Sequence, residues 1–327
     1  MPNRSNQSHL VMLAALTAIA YGLGAELVFQ QLSDAWIGTL SISFLLLVPA
    51  ALGALTVFLG PYDLKRSWGY AIFAPWIVCT LAALAAFLFG LELWACIVMA
   101  LPIFFALSSL GGALVCFLYR RKDEREARRN SSPHTMLGLL LAAPFLLLPL
   151  EAQLSPPSQT RMVHTQIEVA AGPAVVWDAF VAVPEIQPEE ERFAWFRALG
   201  LPDPVEAMLA GQGAGALRQA RYDNGLQVME PVLVWEPETR YRFSVELDDA
   251  SLPSPLWRAV DGEHLNVLYV EYRVQPQPEG GVLLHLDSAY RLTTPLNPYA
   301  ALWGDFLLSD FQHYILEIVK RRAEQAG

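Results

Sequence analysis

The stretch LRQARYDNGLQVMEPVLVWEPETRYRFSVEL, Leu217–Leu247, decides the fold of the C-terminal half. Asp223-Asn224-Gly225 separates two segments of alternating character, Leu217 to Tyr222 and Leu226 to Trp235. Asn-Gly at such a break favours a tight hairpin, because both residues tolerate the positive φ that the turn needs. Glu236-Pro237-Glu238 marks a second reversal. After it, Tyr241, Phe243, Val245 and Leu247 share one face, and Arg240, Arg242, Ser244 and Glu246 the other. That is the period of two expected of a half-buried strand. His264 to Val274 repeats the pattern. So does Val282 to Leu292, which follows Glu279-Gly280-Gly281 and sets Leu284, Leu286, Ser288 and Tyr290 opposite His285, Asp287 and Arg291. Antiparallel sheets with one apolar and one wet face are built from such alternation.

Upstream, Met162 to Val169 reads as another strand, with Val163, Thr165, Ile167 and Val169 on one face. Pro173 opens a short helix carrying Val176, Trp177 and Phe180. The acidic stretch from there to Leu209 reads as helical. Gly211-Gln-Gly213-Ala-Gly215 has no strand before it and no Lys-Ser/Thr after it, so it is a turn and not a phosphate loop. Downstream, Asn297 is placed to cap a long helix with Pro298 at its first position. Leu302, Trp303, Phe306, Leu307, Phe311, Tyr314, Ile315, Ile318 and Val319 fall on one stripe at helical spacing. The predicted fold is α+β, an antiparallel sheet wrapped on a long C-terminal helix.

The N-terminal half is a different kind of chain. The whole sequence is 54% hydrophobic and 17% charged. Residues 1–150 carry +2; the chain is −10 overall, so residues 151–327 carry −12. About 20 apolar residues suffice to cross a bilayer core. Five such segments are predicted, 10–29, 36–60, 70–91, 93–119 and 134–150, the last being short and holding Pro144 and Pro149. They make a helical transmembrane bundle over residues 1–152. A linker at 153–160 leads to a soluble domain at 161–327. Bases gather in alternate loops, at Lys65 and Arg66 and again from Arg120 to Arg129; Asp34, Glu92 and Glu151 share the opposite side. The positive-inside rule then puts the N-terminus in the cytoplasm of a cell (inner) membrane, and the C-terminal domain outside the cytoplasm. Glu26 sits within the first span near its outer end. Gly22, Gly24, Gly111 and Gly112 suit close helix packing.

Several classes are disfavoured. An acidic soluble half is a poor partner for nucleic acid. The three cysteines, Cys79, Cys96 and Cys116, all lie in apolar segments, so the soluble half has no disulfide. His164, His264, His285 and His313 are scattered, and no metal or cofactor motif is present.

The C-terminal half resembles the START-like superfamily, also called SRPBCC, of polyketide cyclase/dehydrase and lipid-transport domains. The likeness covers about residues 160–325. It rests on Ile167-Glu-Val-Ala-Ala-Gly-Pro173 leading to Val176-Trp177, on Arg221-Tyr-Asp-Asn-Gly225 with Val228-Met-Glu230-Pro-Val-Leu-Val-Trp235-Glu-Pro237, on Tyr241-Arg-Phe243-Ser-Val245, and on the closing run from Phe311 to Glu324. The membrane half resembles no named family. The resemblance implies a helix-grip fold with a cavity between sheet and helix for a lipid or other hydrophobic small molecule.

The faces read from the sequence supply a lining of Tyr241, Phe243, Tyr272, Leu284, Tyr290, Phe311 and Ile315, with Glu230 and Ser288 as inward polar groups. Three readings of Glu230 stay open. A buried carboxylate could act as acid, base or ligand anchor. It could instead pair with Arg218 or Arg221, or lie exposed at a strand bend beside Pro231. The expected function is lipid binding, transfer or sensing. A cyclase/dehydrase-like enzyme and a protein-interaction module with a filled core are the alternatives. The sequence leaves the identity of any protein partner open.

Overall fold

The computed structural model describes residues 4–32, 41–125, 133–247, 264–278 and 280–327. Asp34, residues 36–40 of the second predicted span, the basic loop at 126–132 and Glu279 lie outside the described residues. The chain divides into two compact units, Met1–Ser155 and Pro156–Gly327.

The first unit is helical: α1 (Arg4–Leu32), a π-helical turn (Ser43–Leu47) running into α2 (Val48–Leu59), α3 (Tyr62–Lys65), α4 (Trp68–Leu88), α5 (Trp94–Arg125) and α6 (Pro133–Glu151). Among the described residues, three stretches are long and apolar enough to cross a membrane: Gln7–Gln31, Trp68–Leu88 and Trp94–Arg121. Ser43–Leu59 and Thr135–Glu151 are shorter apolar helices. At about 1.5 Å per residue each is about 26 Å long, a little under a bilayer core of ~30 Å.

This unit is apolar on its surface as well as in its interior, where Phe29, Leu52, Leu55 and Val57 are buried. Small residues such as Ala14, Ala18, Ala51 and Ala54 are buried, while Leu16, Phe73, Ile77, Leu88, Leu110 and Leu139 are exposed. The glycines explain how closely the helices approach. A Cβ on Gly111 would sit 1.9 Å from the Ala50 carbonyl oxygen, and one on Gly112 2.2 Å from that of Ala71. Gly53 does the same against Ser108, at 1.9 Å, whereas Gly24 has open space. Glu151 folds back on the second apolar helix. Its carboxylate accepts hydrogen bonds from the backbone N–H of Ile42, the backbone N–H of Ser43 and the Ser43 hydroxyl. It thereby satisfies donors that a helix start leaves unpaired.

The second unit contains β1 (Ser158–Val169), α7 (Pro173–Val181), a 3-10 turn (Pro188–Glu190), α8 (Trp195–Ala198), β2 (Pro204–Ala210), β3 (Leu217–Tyr222), β4 (Gln227–Glu236), β5 (Arg240–Ser244), β6 (Glu246–Leu247), β7 (Leu265–Pro276), β8 (Val282–Thr293) and α9 (Asn297–Ala326). One antiparallel sheet runs in the order β1-β8-β7-β5-β4-β3-β2, with β6 paired to β4. Register shifts at Val232/Val234 and Val267/Tyr269 bend it, as bulges do. Helices α9 and α7 pack on its concave face. The main core lies between them, with Val176, Phe180, Tyr241, Phe243, Tyr272, Leu284, Leu316 and Val319 buried.

Four expectations change. Pro204–Ala210 is an edge strand paired with β3, not part of a helical stretch. Its inward residues, Ala207 and Leu209, contrast little in type with the outward Met208 and Ala210, and pairing with β3 decides it. The first strand begins at Ser158, which shortens the linker. The strand from Arg240 breaks after Ser244, where the pairing with β7 ends, and β6 continues along β4. Asn297 does not cap α9: its Oδ1 accepts from the Thr294 N–H at 2.8 Å and the Thr294 hydroxyl at 2.9 Å, and its Nδ2 donates to the Pro157 carbonyl at 2.6 Å.

Candidate functional site

The Asn224-Gly225 turn fixes the β3–β4 register so that Arg218 stands directly opposite Glu230. Gly225 has φ 87° there, which only a residue without Cβ adopts freely. Both side chains point inward and are buried, and Arg218 Nη1 donates to Glu230 Oε2. Of the three readings of Glu230, the pairing with Arg218 is the one observed. Arg221 pairs instead with Glu206 at 2.9 Å.

Two polar atoms beside this pair have no partner. Arg218 Nε and the Tyr241 hydroxyl oxygen are buried with no hydrogen bond. Such a group typically costs about 1–3 kcal/mol. The surroundings are apolar and aromatic. The Arg218 guanidinium lies 5.2 Å from the Phe243 ring centroid, and the Tyr241 ring makes edge contacts with Trp177 at 5.9 Å and Trp235 at 5.6 Å. Phe180 stacks on Tyr272 at 4.6 Å. Burial pushes the Glu230 carboxyl above the ordinary carboxylate range, opposed by the charge and hydrogen bond of Arg218. Burial likewise raises the Tyr241 phenol and pushes that of Tyr272 up to about 12. Both tyrosines therefore keep their protons at neutral pH. The cluster holds two buried polar atoms, Arg218 Nε and the Tyr241 hydroxyl, among aromatic rings.

The other expected lining residues are not all together. Tyr241, Phe243, Tyr272 and Leu284 share the main core, and Ile315 packs against it. Ser288 accepts from Gln312 Nε2 at 2.7 Å, and Gln312 Oε1 accepts from Thr165 at 3.0 Å. Gln312, fully buried, was not legible as inward from its type. Tyr290 donates to Asp305 at 2.6 Å, and Arg161 holds the same carboxylate at 3.1 Å. Burial raises the Asp305 carboxyl, but those two donors outweigh it and hold it below its usual value. Phe311 faces away from the sheet and meets Phe196 edge-on at 5.2 Å. Turning on a helix accounts for this, since Gln312 and Leu316 take the sheet side.

The outer face of the sheet is drier than the alternation implies. Glu271 and Asp287 are buried there. Arg240 and Arg242 reach Glu271 at 2.9 and 2.5 Å, and Arg273 and His164 reach Asp287 at 2.7 and 2.6 Å. Residues that read as solvent-facing charges are one cross-strand ladder.

No protein-family model matches the chain, and no curated protein does. Solved structures that resemble part of it include norcoclaurine synthase from Thalictrum flavum in complex with dopamine and hydroxybenzaldehyde, at 13% identity, covering 52% of this chain and 90% of that one with a TM-score of 0.34. The Zhui aromatase/cyclase from a Streptomyces species is 11% identical, covering 52% and 97%, with a TM-score of 0.35. A protein from Rhizobium leguminosarum is 14% identical, covering 52% and 97%, with a TM-score of 0.32. At these values the likenesses carry no weight for function.

Proposed function

We propose that this protein is a membrane-anchored domain that binds a lipid or other hydrophobic small molecule between the sheet and α9. The Arg218–Glu230 pair and Tyr241 anchor the polar end of that ligand. The observation that carries the reading is the presence of two buried, unpartnered polar atoms, Arg218 Nε and Tyr241 Oη, on an aromatic wall. A filled structural core has no use for them, because each costs free energy that an apolar replacement would avoid. A ligand carboxylate, carbonyl or hydroxyl accepts from both. The apolar helices of the first unit anchor the domain to the bilayer, and a short tether keeps it at high effective concentration near lipid.

The test is the mass of the purified full chain under non-denaturing conditions. One apolar species at a stoichiometry of one is expected. A bare chain that takes up no added lipid would move the reading to a filled core and a protein-interaction role. Topology is tested separately. A reporter active only outside the cytoplasm, fused after Gly327, is expected to be active; a bright cytoplasmic reporter at that position would mean an even number of crossings.

A further inference from the structure

The apolar stripe of α9 continues past the part that the sheet and its neighbouring segments cover. Leu302 is 68% exposed and Phe306 42%. The connection before β2 places two more aromatic residues beside them, Phe193 at 74% and Trp195 at 52% exposed. These are one patch: Phe193 meets Trp195 at 5.2 Å, Trp195 meets Phe306 at 6.5 Å and Phe306 meets Trp303 at 6.3 Å. Contiguous apolar surface of this kind marks an interaction site, whereas scattered exposed residues do not.

We propose that this aromatic face docks on the bilayer surface, so that the second unit lies against lipid headgroups with the N-terminal half of α9 in the interface. The proposal rests on the reading of the first unit as membrane-spanning. Three observations select lipid as the occupant. First, the patch lies at the end of the unit where the chain arrives: Asn297, at the start of α9, donates to the Pro157 carbonyl. Leu302 to Phe306 follow within about 14 Å along the helix at 1.5 Å per residue. Second, only six residues separate Glu151, the end of α6, from Ser158, the start of β1. Even fully extended, six residues span only about 20 Å. Third, ionisable groups at its margin are already paired: Asp305 with Arg161, and Arg192 with Glu317 at 3.1 Å. Docking therefore strips no unpaired charge of water at these positions. Trp and Phe are the side chains suited to the headgroup layer.

The experiment reconstitutes the full chain in phosphatidylcholine nanodiscs containing a lipid with a photoreactive diazirine near its glycerol backbone, followed by peptide mapping. Label is expected on the peptides holding Phe193–Trp195 and Leu302–Phe306, as well as on those from Trp68–Leu88 and Trp94–Arg121. In the double variant Trp195→Ser/Phe306→Ser the first pair should fall to background while the helix peptides stay labelled. Label on the helices alone overturns the docking proposal and leaves the spanning reading intact. Label on the aromatic peptides without the helices supports docking and overturns spanning. No label on either overturns both.

Discussion

Arg218 and Glu230 show how one cross-strand position decides what a site can do. Because the two stand opposite each other in the dry interior, removing either leaves a buried charge alone. Arg218→Met is expected to cost about 3–5 kcal/mol in a denaturant melt, and replacing both partners by apolar residues much less. Tyr241→Phe is different in kind. It removes an unpaired hydroxyl and keeps the ring against Trp177 and Trp235, so the melting temperature should hold or rise while ligand retention falls. The face of Glu230 was legible from the period of two. Its partner was not, because Arg218 and Arg221 are both near in sequence and only the hairpin register separates them.

Among the elements, α9 was the easiest to read and the easiest to misread. Its length and stripe follow from spacing, but a single stripe hides three environments. Gln312, Leu316 and Val319 meet the sheet side, Phe311 and Tyr314 meet Phe196, and Leu302 and Phe306 remain open. A helix of 30 residues turns through neighbours that no periodicity announces. The strand Pro204–Ala210 was missed because its alternation, Ala207 and Leu209 inward against Met208 and Ala210 outward, is too short and too weakly contrasted to tell from a helical turn.

The segment before α8 is held to α9 by Glu190 and Arg322, at 2.6 Å. The hydrogen bond from Arg322 holds the Glu190 carboxyl below its ordinary value. A depressed folded value means stabilisation that is complete above the unfolded value of about 4.3 and lost as pH falls through the folded one. The melting temperature should therefore drop more between pH 5 and about 3 in the wild type than in Glu190→Gln. An equal drop in both would remove this contact as a source of acid sensitivity. In the first unit, Gly111→Leu should disrupt the approach of α5 to α2, since even a Cβ there lies 1.9 Å from the Ala50 carbonyl. A lowered aggregation temperature in detergent checks it, and Gly24→Ala, with open space around it, is the control.

Taken together, the chain joins an apolar helical unit, with Leu and Phe on its surface as well as in its interior, to a curved sheet closed by one long helix. The division was legible from charge alone, because the first 150 residues carry +2 over a mostly uncharged stretch and the rest carries −12. What the sheet and helix enclose was not, since an aromatic stripe reads the same whether it fills a core or lines a site. The most direct test is native mass spectrometry of the full chain beside its Tyr241→Phe variant, with detergent stripped in the gas phase. Lipid merely adhering to the helices will be carried equally by both. A single stoichiometric apolar adduct on the wild type that is lost or weakened in Tyr241→Phe, at unchanged melting temperature, is the expected result. Identical adducts on the two proteins, or none on either, would contradict a ligand anchored at Arg218 and Tyr241.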